Sequence, residues 1–132
     1  MAHWLMKSEP ASYSWDDLVR DGGTEWDGVR NNAARLHLRA MKSGDEAFFY
    51  HSGDQRAVVG IMRIAGPGKP DGEDGSWVKV PVEPTRPLKP VSLAAIKAEP
   101  KLASMELIRQ SRLSVSPVSD EEWRVILGMG GE

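Results

Sequence analysis

The chain contains no cysteine. Disulfide staples and thiolate metal sites are therefore excluded, and a reducing, cytosolic setting is expected. Staples are not needed, because a single domain of 132 residues buries roughly two-thirds of the surface its unfolded chain exposes. No apolar run approaches the ~18 residues of a membrane span. No basic stretch followed by an apolar one opens the chain, as a signal peptide would. These absences point to a soluble, cytoplasmic, monomeric protein with no membrane partner. An excess of positive charge is missing as well. A net charge of -2 argues against a domain that coats nucleic acid with its whole surface.

Several chemical signatures are also absent. His3, His37 and His51 have no histidine or cysteine at ligand spacing, and there is no HExxH, so no metal site is assigned. The glycines between Gly66 and Gly75 lack the GK[ST] ending of a phosphate-binding loop, and GxGxxG is missing, so no nucleotide cofactor is expected. Neither Ser8 nor Ser52 sits in a GxSxG elbow. His51 and Ser52, as neighbours on a strand, point to opposite faces. No catalytic residue is assigned.

What is present reads as an α+β domain with a small, mostly antiparallel, curved sheet. His3 to Lys7 has strand character and stops at Pro10. Ser14 and Asp17 have capping-box spacing ahead of a helix whose apolar face is Trp15, Leu18 and Val19. Asn31 or Asn32 caps a helix to about Met41, with Ala34, Leu38 and Met41 facing the core. Ala47 to His51 and Ala57 to Ala65 read as an antiparallel pair, in which Gly60 marks a bulge or a close backbone approach. Gly66 to Gly75, with four glycines and two prolines, reads as a mobile loop. Trp77 to Val82 is a strand, and Glu83 to Pro90 a proline-rich connector. Ser92 caps a helix to Ala98, and Lys101 to Arg109 forms another. Arg112 to Val115 is a strand ended by Pro117. Ser119 and Glu122 cap the last helix, with Gly128 as its stop.

Polar groups crowd two places. Lys7, Ser8 and Glu9 stand together at a strand end. Trp26 lies among glycines and charges, whereas Trp4, Trp15, Trp77 and Trp123 each sit in an apolar pattern that predicts core packing. The face of Trp26 can stack on a nucleobase, at about 1–3 kcal/mol, or its ring can plug one end of the sheet. Both readings stand. Arg30 and Asn31 beside it offer a guanidinium and a two-way amide. Arg35, Arg39 and Lys42 recur on one helix face in a stretch from Arg30 to Lys42 that has no acidic residue, which suits a phosphate backbone. Asp45 to Asp74 leans acidic instead.

Taken in order, WLMKSEP, YSWDDL, WDGVRNNAAR, LRAMKSGD, FFYHS, VVGI, PVSLAAIKA, SRLSVSPV and EEWRVIL cover nearly the whole chain. Together they resemble the EVE domain family (thymocyte nuclear protein-like), of the PUA-like superfamily. The resemblance implies a PUA-like curved, mostly antiparallel β-barrel of about five or six strands with flanking short helices. It also implies a non-catalytic reader of a modified nucleobase, particularly modified cytosine in DNA, related to the YTH, ASCH and PUA modules. The partner is then nucleic acid carrying a modified base, DNA before RNA. An RNA-binding module and an enzyme acting on a nucleotide are the alternatives.

Carried over by resemblance, KSEP places Lys7, Ser8 and Glu9 at a pocket rim, and WDGVRN adds Trp26, Arg30 and Asn31. Tyr50, His51 and Ser52 follow from FFYHS, and Arg112, Leu113 and Ser114 from RLSV. Arg35, Arg39 and Lys42 are the expected phosphate contacts. Two departures from the family pattern bear on ligand choice. Leu36 stands where asparagine is common, and Gly68-Lys69-Pro70-Asp71-Gly72 replaces a YPDPT-like stretch.

Overall fold

The computed structural model describes residues 1–73 and 75–132. Asp74, the end of the acidic stretch and part of the glycine-rich segment, lies outside the described residues.

Among the described residues, seven strands and five α-helices follow one another. The strands are β1 (His3–Ser8), β2 (Thr24–Trp26), β3 (Glu46–His51), β4 (Ala57–Ile64), β5 (Lys69–Asp71), β6 (Trp77–Ser92) and β7 (Val115–Val118). The helices are α1 (Trp15–Asp21), α2 (Asn32–Ala40), α3 (Leu93–Ala98), α4 (Glu106–Arg109) and α5 (Asp120–Met129). Six strands form the path β2-β6-β4-β3-β1-β7, and β5 adds to β6. Among the described residues, β1 and β3 pair in parallel and the other pairs are antiparallel. The sheet is a mixed, curled half-barrel with short helices.

Alternation along the strands sends side chains to two cores. Trp4, Met6 and Phe49 join Trp15 and Leu18 of α1, Ala34 and Leu38 of α2, and Trp26. Leu5, Phe48 and Tyr50 point the other way, to Ile96, Leu107, Trp123 and Ile126 of the later helices. Trp123 stacks on Phe48 at 3.9 Å between centroids, which ties α5 to the middle of the sheet.

Local signals placed the caps well. Ser14 and Ser119 both form complete capping boxes, and Asn31 accepts the Ala34 N–H. Val19, however, is half exposed, one position off the buried stripe of Trp15 and Leu18. Residues 100–109 form a 3-10 turn and the separate one-turn α4, because Met105 takes extended angles between them. The last helix runs through Gly128 and ends at Gly130.

Proline misled the strand boundaries. Glu83 to Pro90 is not a connector: β6 runs unbroken through Pro81, Pro84, Pro87 and Pro90. Beyond Val82 this strand pairs with β4 alone, so proline nitrogens can face an open edge. Its register with β4 also shifts at Pro84 and Pro87. Pro117 lies inside the edge strand β7, opposite Trp4, for the same reason. That strand starts at Val115, so Arg112, Leu113 and Ser114 form its approach rather than its body. The glycine-rich segment contains β5, paired to residues 77–79 of β6.

Asp45 locks the start of this framework. It is 5% exposed and accepts hydrogen bonds from the Trp4 indole (3.1 Å), the Lys42 N–H (3.0 Å) and the Ala2 N–H (3.2 Å). Burial pushes its carboxyl up, but these donors and the N-terminal charge outweigh burial and hold it below its usual range. Stability from this group is present above the unfolded carboxylate value of about 3.9 and is lost as pH falls through the lower folded value. Asp45→Ala should cost about 2–3 kcal/mol at neutral pH by leaving a buried indole N–H unpaired. Urea unfolding between pH 7 and pH 3 should show the gap between variant and wild type closing at the acid end.

Candidate nucleic-acid interface

A cavity of about 590 Å³ opens where β1 ends, between the turn that follows it, the 27–30 loop and Ser114. Six expected residues meet there: Lys7, Ser8, Glu9, Trp26, Arg30 and Ser114. Its walls also include Asp27 of the WDGVRN motif, and Tyr13, Thr24 and Glu25, to which the sequence gives no site role.

The turn is built by Ser8 and Glu9. The Glu9 carbonyl accepts the N–H groups of Ser12 and Tyr13 at 2.9 Å, and Ser8 Oγ donates to the Tyr13 carbonyl at 2.6 Å. Ser8 therefore fixes the turn and keeps lone pairs for a ligand. The same turn brings the half-buried Tyr13 ring to the cavity, with its hydroxyl donating to Asp21 at 2.8 Å. Burial, then the Asp21 hydrogen bond, pushes that hydroxyl's pKa up.

Trp26 lies on β2 and is 8% exposed, so most of its ring is core while it lines the cavity. Its partner is the edge of Phe49, 5.5 Å away between centroids. Glu25 beside it pairs through one oxygen with Lys69 at 3.2 Å, while the other oxygen is enclosed without a hydrogen-bond partner among the described residues.

The 27–30 loop is held from β5. Asp71 Oδ2 accepts the Gly28 N–H and an Arg30 N–H, each at 2.9 Å. The Gly28 bond, then Arg30, hold the Asp71 carboxyl below its usual range. Gly28 has φ 75°, where a side chain would be strained. The Arg30 and Arg35 guanidinium groups each lie 5.4 Å from the Trp77 ring centre. Trp77, the first residue of β6, is thus a partly buried platform under the two guanidinium groups and not a core residue.

Other expected residues lie elsewhere. Asn31, Arg112 and Leu113 border a separate hollow of about 350 Å³. Tyr50 and Ser52 line a third, of about 320 Å³, which Lys7 shares with the first. Parity explains Tyr50: Phe49 points to the Trp26 core, so its neighbour points away. His51 borders none of the three and is buried. Its Nε2 accepts the Trp15 N–H at 3.0 Å, so the proton sits on Nδ1, which donates to Gln55 at 2.6 Å. It is a fastener for α1. Lys7 donates to the Ser111 carbonyl at 2.9 Å, and burial lowers its ammonium pKa. Arg39 is exposed on α2 and Lys42 is exposed in the turn beyond it, because the helix ends at Ala40 and so does not carry Lys42 on the Arg35 and Arg39 face. Neither Arg39 nor Lys42 has an acidic partner among the described residues. Arg35 instead donates to the Ser76 carbonyl.

The EVE domain family model matches residues 2–129. The chain belongs to the EVE domain family. Human thymocyte nuclear protein 1 is 34% identical over 97% of this chain and 73% of its own length. The NMR structure of a Rhodopseudomonas palustris protein is 50% identical, with a TM-score of 0.95, covering 99% of this chain and 94% of that one. The crystal structure of human THYN1 protein in complex with 5-methylcytosine-containing DNA is 34% identical. Its TM-score is 0.93, with coverage of 100% of this chain and 99% of that chain. The ASCH protein of Zymomonas mobilis, at 10% identity and a TM-score of 0.62, shares the fold alone. This EVE domain is therefore PUA-like in architecture, and no helix among the described residues is long and apolar enough to cross a membrane.

Proposed function

We propose that this EVE domain is a non-catalytic, cytoplasmic reader that draws a modified cytosine of DNA, 5-methylcytosine first, into the cavity bounded by Trp26 and Tyr13. The observation that carries the reading is this cavity at a defined strand end, in a chain that aligns along its full length with a homologue crystallised on 5-methylcytosine DNA. Its volume of about 590 Å³ falls in the range of small-molecule pockets, ~300–1,000 Å³. A flipped base needs an aromatic wall and polar groups for its edge. Trp26 and Tyr13 supply the first; Ser8, Thr24 and Ser114 supply the second.

Charge separates the two halves of the ligand. Glu9 and Asp27 line the cavity without salt bridges among the described residues, against one unpaired cation, Lys7, whereas Arg30 is neutralised by Asp71. Such a rim disfavours a phosphate and suits N–H donors such as the 4-amino group of cytosine. Exposed cations away from this rim, such as Arg39 on α2 and Lys42 in the turn after it, suit phosphates of the strand.

A methyl group in an apolar recess discriminates by about 1–3 kcal/mol. Fluorescence anisotropy titrations should thus show roughly tenfold or greater preference for 5-methylcytosine over cytosine in otherwise identical oligonucleotides. Arg39→Ala should lower the salt slope by roughly 0.7–0.9 and leave that preference intact. Equal affinity for both bases would refute the reading.

A further inference from the structure

The third cavity, of about 320 Å³, differs from the first in sign. Its charged lining residues are Lys7, Arg56 and Lys97, with no carboxylate among its lining residues. None of the three cations has a salt bridge among the described residues. The Glu9 carboxylate lies beside Gly53 at the rim, where a side chain placed on Gly53 would strike it, yet Glu9 lines the other cavity.

Two further observations mark this hollow as built to hold an anion. Tyr50 is 3% exposed, yet its hydroxyl makes no hydrogen bond among the described residues and is not sealed from the cavity that Tyr50 lines. A buried tyrosine normally finds a protein partner for that group, so this O–H, open to the cavity, is a donor available to a ligand. Arg56 is the one non-glycine residue among those described with a left-handed backbone, φ 46°. Strain of this kind persists only where surrounding structure enforces it, and it collects at ligand sites. Here the Leu93 N–H donates to the Arg56 carbonyl at 2.8 Å and Arg56 Nε donates to the Gly53 carbonyl at 3.1 Å, holding the guanidinium at the cavity.

We propose that the cavity of Lys7, Tyr50, Arg56 and Lys97 is a phosphate site, taking a phosphodiester of the same strand whose base enters the neighbouring pocket. Lys7, which borders both cavities, divides base from backbone. One of its three donors is committed to Ser111, and the other two are free for the anion. A partly desolvated ammonium gains more from an anion than an exposed one does. The proposal rests on the base-reading assignment for its choice of ligand source, and its test is separable from that assignment.

The test compares a 5-methylcytosine oligonucleotide with versions carrying one neutral methylphosphonate at each linkage flanking the modified base. Wild type should bind one neutral-linkage strand about tenfold more weakly than the natural strand, the size expected for losing charge-assisted hydrogen bonds. Tyr50→Phe and Lys97→Ala should each weaken binding to the natural strand, and should lose little more on that neutral-linkage strand. Thermal unfolding of Tyr50→Phe should match wild type, because the hydroxyl has no partner to lose. Variants that bind the natural strand like wild type would overturn the proposal. So would variants that lose the same factor on natural and neutral strands. Inorganic phosphate displacing nothing while neutral linkages matter supports the strand as source. Inorganic phosphate binding with no effect of neutral linkages would overturn the assignment to the strand. Loss of the wild-type preference for 5-methylcytosine over cytosine, with the linkage effect retained, would remove the base reading alone.

Discussion

Gly60→Val should be among the most destabilising single changes in this protein, at roughly 3 kcal/mol or more, the upper end of core overpacking. A Cβ at Gly60 would sit 2.6 Å from Cε3 and Cζ3 of Trp15. That ring cannot step aside. It is 7% exposed, packs edge-on to Phe49 at 5.6 Å, and has its backbone N–H tied to His51. Gly60 also lies where β4 shifts register against both neighbours, so the strand has little slack. The displaced element would be α1, and with it the Tyr13 wall of the cavity. Chemical denaturation should show a lower midpoint with an unchanged slope. A Gly60→Val protein as stable as wild type would mean that the Trp15 contact is not the constraint described.

Trp26→Ala is expected to cost a comparable amount, about 3–5 kcal/mol, because it empties a core site. It should also abolish base binding. The two losses cannot be told apart in that variant, since Trp26 is both a core residue and a cavity wall. Trp26→Phe separates them. It keeps an aromatic ring in the core, so it should retain most of the stability, while the smaller ring recedes from the cavity and weakens binding to 5-methylcytosine strands. Unfolding and titration of the two variants in parallel check this. If Trp26→Phe binds as tightly as wild type, the ring supports the site without touching the base.

What could be read from the residues alone follows the range of the interaction. Ser14, Asn31 and Ser119 were legible as caps because a cap is settled within three residues. Gly60 was legible as a close approach, though not that Trp15 is the side chain it admits. The path of β6 was not legible. Four prolines signal a break, and only the distant pairing of β4 along one edge makes them tolerable. The same holds for Asp71, placed in a presumed loop, which holds the cavity rim from a strand whose partner lies beyond it in β6.

The site was half legible. Lys7, Ser8, Glu9, Trp26, Arg30 and Ser114 do meet, although they come from three separate parts of the chain. Tyr13 escaped notice because the turn from Ser8 alone swings it to the cavity. Tyr50 belongs to the opposite face from Trp26, because its neighbour Phe49 faces the Trp26 core. The period of two along a strand already separates them. Asn31 and His51 look functional by residue type. Both His51 ring nitrogens are engaged, by Trp15 of α1 and by Gln55, and the Asn31 amide oxygen caps α2 while Asn31 borders a different hollow.

The central claim is that the base enters the cavity walled by Tyr13 and Trp26. Photo-crosslinking with a strand carrying 5-iodocytosine, whose iodine occupies the place of the methyl group, tests it most directly. Mass spectrometry should locate the crosslink on Tyr13 or Trp26. A crosslink on Trp77 or Tyr50 instead would place the base on another surface and contradict the account.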